Sequence, residues 1–229
     1  MNKKLAHVIS SYGITSRRKA EEMIRQGRVQ LNDNIIRNVA MRISSIDIIK
    51  IDGQKIQKCE KKLWLFHKPI RVLTTHSKES DKLTVFDFFK HEYATFIGRL
   101  DYMSEGLLLL TNDVTYICKM QQYSRIYEVT LTSSPIKSFY KELANPYLGN
   151  IKLLPINCLK TKQTNLGFQL TLELFEGKNR EIRQLCQKFE LKILKLKRIQ
   201  HGPYKLNNLS VGKFIQTTPL SDTHILRYE

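Results

Sequence analysis

The sequence is poor in acidic residues and has no apolar stretch long enough to cross a bilayer. Its 229 residues include 38 lysines and arginines against 21 aspartates and glutamates, a formal net charge of +17. A chain this basic repels itself, so the charge is typical of a protein that binds a polyanion, with nucleic acid ahead of anionic membrane. We find no basic amphipathic helix with a large apolar face, and we therefore expect no membrane partner. No apolar run follows Lys3 and Lys4, so we expect no signal peptide and a cytoplasmic location.

Paired cysteines are missing as well. The four cysteines, Cys59, Cys118, Cys158 and Cys186, are widely scattered, and the sequence has neither a C-x-x-C nor an H-x-x-x-H motif. These spacings exclude the common zinc motifs, and a chain of this size does not need a disulfide framework. We therefore expect reduced cysteines and no metal site.

Residues 1–60 predict a small unit of two helices and a sheet. Leu5, Val8 and Ile9 recur at helical spacing, and Gly13 is typical of a helix end. A second helix is predicted to begin at Thr15 or Ser16, where a hydroxyl can cap free N–H groups, and to end at Gly27. Strand alternation follows at residues 29–31, and turn residues stand at 32–34 and 52–53.

The second helix carries a dense positive cluster. The cluster consists of Arg17, Arg18, Lys19 and Arg25 in the helix and of Arg28 just after Gly27. Three of them stand at the helix N-terminus, where backbone N–H groups and the helix dipole also favour a phosphate. The alternative is a solvated helix face with ion pairs one turn apart, and charge alone favours neither interpretation.

The order of elements in this unit favours the interpretation of the basic cluster as a phosphate site. Residues 16–32, SRRKAEEMIRQGRVQLN, resemble the S4 RNA-binding module, with Asp33 in place of the glycine usual after them. This resemblance covers about the first quarter of the chain. It implies that the basic cluster contacts RNA.

The remainder of the chain predicts a larger mixed domain. Residues 57–62 are polar and charged and are expected to form a short linker, so that the domains span 1–60 and 61–229. Buried or alternating strands are predicted at 64–66, 107–110, 125–131, 168–175 and 193–199, with an amphipathic helix at 179–189. The expected fold class is α+β, with a mostly antiparallel sheet in the second domain.

One acid stands out in residues 98–113, GRLDYMSEGLLLLTND. Asp101 lies between a glycine-bounded turn and a fully apolar strand, where its carboxylate would be buried or nearly so and would need a cationic partner. The alternative is a turn aspartate that caps its own backbone.

Four segments in this domain resemble, in the same order, motifs of the RsuA-like pseudouridine synthases. They are LFHKP (65–69), residues 98–113, RIYEV (125–129) and EGKNREIRQL (176–185). The resemblance implies a fold of an S4 domain followed by a pseudouridine synthase domain. It implies that Asp101 is the catalytic aspartate, that Tyr127 stacks on the target uracil and that Arg183 pairs with Asp101. Without it, Tyr127 would be an ordinary strand aromatic and Arg183 a solvated helix arginine.

The implied reaction suits these residue types. Uridine isomerisation breaks the N1–C1′ bond and joins C5 to C1′, so no atom is lost and no cofactor is needed. A carboxylate must attack ribose C1′ or uracil C6, and the sequence does not choose between them. The flipped base needs an apolar plate, for which Tyr127 with Ile182 or Leu185 is expected, and Tyr127 is a candidate proton relay.

Further RNA contacts are expected from basic and polar residues within these motifs: Lys68, Arg99, Lys178, Asn179 and Arg180. The chain departs from the family at His67, where asparagine is usual, and in residues 144–167. Neither departure removes a catalytic group.

We expect an enzyme that modifies ribosomal RNA and acts as a monomer. Residues 74–76 and 84–87 resemble the branch of the family that acts on large-subunit rRNA, and a small-subunit target is the alternative. The rival class is a non-catalytic ribosome-associated RNA-binding protein. The presence of Asp101, Tyr127 and Arg183 together favours the enzyme, because a degenerate scaffold should have lost at least one.

Overall fold

The fold is described from a computed structural model that covers residues 3–44, 46–77, 81–89 and 93–220. The first unit contains two helices, a short strand pair and a four-stranded antiparallel sheet of order β3-β2-β5-β6. Its elements are β1 (Lys3–Lys4), α1 (Leu5–Ser11), α2 (Arg17–Arg25), β2 (Val29–Leu31), β3 (Asn34–Ile36), β4 (Arg42–Ile43), β5 (Ile49–Ile51) and β6 (Gln54–Lys55). Leu5 and Ile9 of α1 pack with Ile24 of α2 and Val29 of β2 in one hydrophobic core.

Local sequence chemistry sets the bounds of these elements. Ser16 precedes α2, and its side chain accepts a hydrogen bond of 3.1 Å from the Lys19 N–H, as the capping pattern predicts. Asn32 and Asp33, with φ of 48° and 70°, form the two-residue turn between β2 and β3. Both positive φ angles suit the primed turns that match the strand twist. The predicted helix start and turn are therefore confirmed.

The second unit is built on a nine-stranded sheet. Its strands are β7 (Leu63–Lys68), β8 (Thr95–Ile97), β9 (Glu105–Thr111), β10 (Arg125–Leu131), β13 (Asn157–Thr164), β14 (Gly167–Leu174), β15 (Ile193–His201), β16 (Tyr204–Lys205) and β17 (Phe214–Thr217), with a separate hairpin of β11 (Tyr147–Leu148) and β12 (Ile151–Lys152). The helices are α3 (Val85–Phe88), α4 (Val114–Gln121), α5 (Lys137–Ala144) and α6 (Glu181–Lys188). Across the described ranges, no helix is long and apolar enough to cross a membrane.

The sheet order is β13-β14-β10-β15-β9-β7-β17, with β16 paired to β15 and β8 paired to β9. Strands β9 and β15 run parallel, and the other strand pairs described in this sheet are antiparallel. The predicted α+β class with a mostly antiparallel sheet is confirmed. The parallel pair joins the two halves of the sheet, and the site described below lies beside it.

The four successive leucines of β9 are buried on both faces of the sheet. Leu107 and Leu109 pack on one face of the sheet with Tyr116 and Met120 of α4. Leu108 and Leu110 pack on the other face with Val85 of α3. Because both faces are covered, the strand is apolar at successive positions instead of alternating.

The predicted linker at residues 57–62 is tied to both units. The Cys59 N–H donates to the Tyr12 carbonyl at 2.8 Å. Asn112 donates from Nδ2 to the Glu60 carbonyl at 2.7 Å and accepts from the Lys62 N–H at 2.8 Å. The segment is therefore a hydrogen-bonded connection rather than a loose tether.

Candidate active site

Asp101 lies in the loop that joins β8 to β9, and a buried arginine ties the two ends of this loop together. Arg198 of β15 donates from Nε to the Leu107 carbonyl at 2.7 Å and from Nη2 to the Gly98 carbonyl at 3.0 Å. Its exposed fraction is 1%. The arginine therefore fixes the spacing between the start of the loop and the strand that follows it.

The same loop needs glycine where β9 meets β15. Gly106 lies opposite Arg198 in the parallel pair and has a φ of 116°. A Cβ built at Gly106 would lie 2.2 Å from the Arg198 carbonyl oxygen, closer than any side chain tolerates. This close approach of two backbones explains the glycine five residues after Asp101.

Lys68 holds the inside of the loop. Its ammonium donates to the carbonyls of Pro69 at 2.8 Å, Asp101 at 3.2 Å and Ser104 at 2.9 Å. The residue is completely buried, and burial lowers the pKa of this ammonium to about 8. The expectation that Lys68 contacts RNA is therefore wrong for this structure, because its charge faces three backbone carbonyls and not solvent.

Arg183 of α6 is brought to Asp101. Its Nε lies 3.7 Å from Asp101 Oδ2, and its Nη2 donates to the Met103 carbonyl at 2.8 Å and to Ser104 Oγ at 3.2 Å. The Arg183 side chain is 16% exposed and the Asp101 side chain 31%. Asp101 is thus more open than its apolar sequence context predicts, because its loop borders a cleft. A carboxylate in this setting can reach a substrate and still has a cation beside it.

Tyr127 lies next to this pair on β10. The pairing of β10 with β15 shifts register between Ile126 and Tyr127, and such bulges re-aim a side chain. Asp101, Tyr127 and Arg183 line one narrow cavity of about 80 Å³. Its apolar lining is formed by Leu100, Leu174, Ile182 and Leu196. Of the two residues expected to form an apolar plate with Tyr127, Ile182 lines the cavity, whereas Leu185 packs in the core under α6.

The rim of the site is strongly basic. Arg99, Lys178, Asn179 and Arg180 are exposed around the cleft, where RNA contacts are expected from the sequence. Arg180 precedes α6 in the left-handed conformation with φ of 52°. Inside the rim, the buried carboxylate of Glu181 accepts a hydrogen bond of 3.0 Å from the Lys178 N–H. Burial raises the pKa of this carboxyl to about 7.

The basic cluster of the first unit lies on and just after α2. Arg17, Lys19 and Arg25 are exposed but lie 3.4, 2.9 and 3.9 Å from glutamates of the same helix. Arg28 binds both carboxylate oxygens of Asp52, at 2.9 and 2.6 Å. Arg18 has no carboxylate within 4.0 Å in the part of the chain described. Both interpretations of this cluster therefore have support, and among the described residues Arg18 is the exposed cation of the cluster without an ion pair.

Sequence reasoning missed Arg198, Arg125 and Glu181. Arg198 could have been found, because it is two residues after Leu196 on an alternating strand and both face inward. The sequence shows Arg125 only as part of the RIYEV motif, whereas the structure buries it, with an exposed fraction of 6%. His67, noted as a departure, is also buried and lies 2.6 Å from the Leu209 carbonyl and 3.2 Å from Glu105 Oε1.

Two family models match the chain. The model for the S4 domain matches residues 4–49, and the model for RNA pseudouridylate synthase matches residues 62–188. The second match alone covers more than half of the chain.

Relatives match along nearly the whole chain. An uncharacterized RNA pseudouridine synthase of Rickettsia prowazekii (strain Madrid E) is 37% identical over 226 residues, with 92% of each chain covered. The ribosomal large subunit pseudouridine synthase B of Bacillus subtilis (strain 168) is 31% identical, with 94% of this chain and 92% of that protein covered. The dual-specificity RNA pseudouridine synthase RluF of Escherichia coli (strain K12) is 29% identical, with 94% and 75% covered.

A solved structure described as a pseudouridylate synthase has the same fold. It superposes with a TM-score of 0.64 and 21% identity, and 98% of each chain is covered. At this level of identity the likeness concerns the fold alone.

Proposed function

The chain belongs to the RNA pseudouridylate synthase family, and we propose that it converts a specific uridine of ribosomal RNA to pseudouridine with Asp101 as nucleophile. The family membership makes it an isomerase. The observation that carries the mechanistic part is the ion pair of Asp101 and Arg183 beside Tyr127 in one basic cleft.

Asp101 attacks the target nucleotide. Its carboxylate forms a covalent bond either to ribose C1′ or to uracil C6, and both routes lead through a broken N1–C1′ bond to a new C5–C1′ bond. Arg183 places a cation beside this carboxylate and holds the loop that carries it, through Met103 and Ser104. The loop ties from Arg198 and Lys68 hold the carboxylate at a fixed place while the uracil rotates.

Tyr127 and Ile182 hold the flipped base. An aromatic ring and an aliphatic side chain that line the same narrow cavity suit a planar uracil that has left its stack. The Tyr127 hydroxyl is the candidate to relay the proton that leaves C5. With these residues the reaction needs no added cofactor, since no atom is gained or lost and no electron is transferred.

Large-subunit rRNA is the favoured substrate. The Bacillus subtilis relative is named for the large ribosomal subunit and matches along nearly the whole chain. The Escherichia coli relative is named for dual specificity, so the family resemblance leaves the target nucleotide open. The first unit, taken as residues 1–60, docks the RNA through its exposed cations, chiefly Arg18, and residues 61–229 carry the reaction.

The test is a map of pseudouridines in rRNA from cells with the gene, without it, and with Asp101→Asn in its place. One pseudouridine in large-subunit rRNA should disappear in both altered strains and return with the unaltered gene. A site in small-subunit rRNA would replace the favoured target. An unchanged map in both subunits would contradict the rRNA function and favour a non-catalytic RNA-binding role.

A further inference from the structure

A wider cavity continues from the uridine pocket, and the reaction described above assigns no substrate contact to its inner end beside Arg125. It has a volume of about 430 Å³, and the residues that it shares with the narrow cavity are Arg99, Asp101, Tyr127, Glu176, Gly177, Lys178 and Arg180. From there it extends past Gly98 to Arg125 and Arg198. A group bound in it would therefore be attached to, or next to, the nucleotide that occupies the pocket.

Arg125 faces this cavity with most of its donors free. Its Nη2 donates to the Gln121 carbonyl at 3.3 Å, and no other hydrogen bond or ion pair of this side chain is formed within the described ranges. Its exposed fraction is 6%. Gly177 borders its Nη1, at 3.7 Å from the place where a Cβ would stand. Nε and Nη1 are therefore available to a ligand in the cavity.

The surroundings of Arg125 are positive. Arg198 is its buried neighbour, and Arg99, Lys178 and Arg180 stand along the same cavity. His201 adds no positive charge of its own, because burial and the two arginines keep its pKa well below the usual range.

The acids nearby already have partners. Glu176 lies 3.4 Å from Lys178 and accepts from the Leu154 N–H, and Glu181 accepts from the Lys178 N–H. Asp101 is beside Arg183. Glu181 attracts Arg125 electrostatically, but among the described residues no carboxylate lies within 4.0 Å of the Arg125 guanidinium. A buried guanidinium without a close ion pair is costly, so this cavity is complementary to an anion that is not part of the protein.

We propose that this cavity is a subsite for the RNA backbone phosphate next to the target uridine, with Arg125 as its principal donor. The inference rests on the proposed function, because it takes the neighbouring pocket to hold uridine. A phosphate accepts the forked N–H donors of an arginine well. A phosphate bound by Arg125 beside the pocket would fix the position of the ribose relative to Asp101. It would therefore contribute both to the affinity for the substrate and to its orientation for the reaction.

Small probes test this subsite without any turnover. Dissociation constants of the full-length protein would be measured at low salt for uridine, uridine 3′-phosphate, uridine 5′-phosphate and inorganic phosphate by ligand-observed NMR. At least one of the two nucleotides should bind at least about tenfold more tightly than uridine, because a charged hydrogen bond contributes roughly this much to affinity. Inorganic phosphate should bind far more weakly than that nucleotide, because it lacks the contacts of the base.

Two variants remove the subsite in different ways. Arg125→Gln removes the charge, and Gly177→Val keeps every charge but covers the Arg125 guanidinium. Gly177 does not have a positive φ and is exposed, so the second variant should fold even if the first does not. In both variants the affinity ratio of nucleotide to uridine should fall to about twofold or less. The control is Arg37→Gln, which changes an exposed arginine of the first unit and should leave this ratio unchanged.

Two outcomes would overturn the subsite. One is a nucleotide preference that persists in Gly177→Val and in folded Arg125→Gln. The other is inorganic phosphate that binds as tightly as the nucleotides, which would indicate a free-anion site. Neither outcome bears on the proposed reaction, which the rRNA map tests independently.

Discussion

Arg183 Nε lies 3.7 Å from Asp101 Oδ2, within ion-pair range but beyond the length of a hydrogen bond. The other end of the guanidinium is bound to the Met103 carbonyl and the Ser104 hydroxyl of the same loop. Arg183 therefore joins α6 to the loop that carries Asp101 and keeps Nε next to the carboxylate.

Arg183→Ala should reduce the single-turnover rate at saturating RNA. Removing one partner of a fully buried pair costs about 3–5 kcal/mol. Because Asp101 is 31% exposed, we expect the low end, about 3 kcal/mol or roughly two orders of magnitude. Arg18→Ala is the matched control and should raise the RNA concentration for half-maximal rate while leaving the saturated rate unchanged. Equal behaviour of the two variants would show that both arginines only bind phosphate.

Arg198→Lys should lower the reaction rate at saturating RNA and should change the affinity for RNA less. Lysine keeps the charge but not the planar fork that reaches the carbonyls of Gly98 and Leu107 together. We expect the rate per folded molecule to fall at least about tenfold, from one lost charged hydrogen bond. Lys192→Arg, at an exposed lysine just before the same strand, should change neither quantity. A lower melting temperature with an unchanged rate per folded molecule would limit Arg198 to a role in stability.

Glu181→Gln should stabilise the protein at pH 8. Burial raises the pKa of this carboxyl from 4.5 to about 7 in the folded chain. The native state therefore binds more protons than the unfolded state between these values, and stability falls as pH rises through this window. Glutamine can still accept the Lys178 hydrogen bond. Urea unfolding should show a gain of up to about 3 kcal/mol at pH 8 and a flatter pH dependence. Glu190→Gln, at an exposed carboxylate, should show neither effect.

Arg18→Gln should flatten the salt dependence of RNA binding more than Arg28→Gln. Arg28 is engaged by both oxygens of Asp52, whereas Arg18 has no carboxylate within 4.0 Å among the described residues. The slope of log affinity against log salt should fall by about 0.7 for each lost phosphate contact to a single strand. An unchanged slope in Arg18→Gln would favour the alternative of a solvated helix face.

Features set by neighbouring residues were accessible from the sequence. The Ser16 cap and the turn at Asn32 and Asp33 follow from local hydrogen bonding and backbone preference. The Leu107–Leu110 strand follows from its apolar run. The family motifs named Asp101, Tyr127 and Arg183, and the structure brings all three to one cleft.

Features set by long-range pairing were not accessible in the same way. Lys68 looked like an exposed cation at a strand end, but the Asp101 loop folds over it and buries its charge. The environment of Arg125 and Arg198 depends on β15 lying between β9 and β10. No local pattern shows that strand order, although the inward alternation of Leu196 and Arg198 indicates a buried arginine.

The most direct measurement of the central claim is pseudouridine formation by purified Asp101→Asn on the rRNA identified by the map. Asparagine keeps the shape of the side chain and removes the nucleophilic carboxylate. We predict no detectable product at saturating RNA, with RNA affinity close to that of the unaltered protein. Product formation within about tenfold of the normal rate, a difference of only about 1.4 kcal/mol in the barrier, would contradict the assignment of Asp101 as the nucleophile.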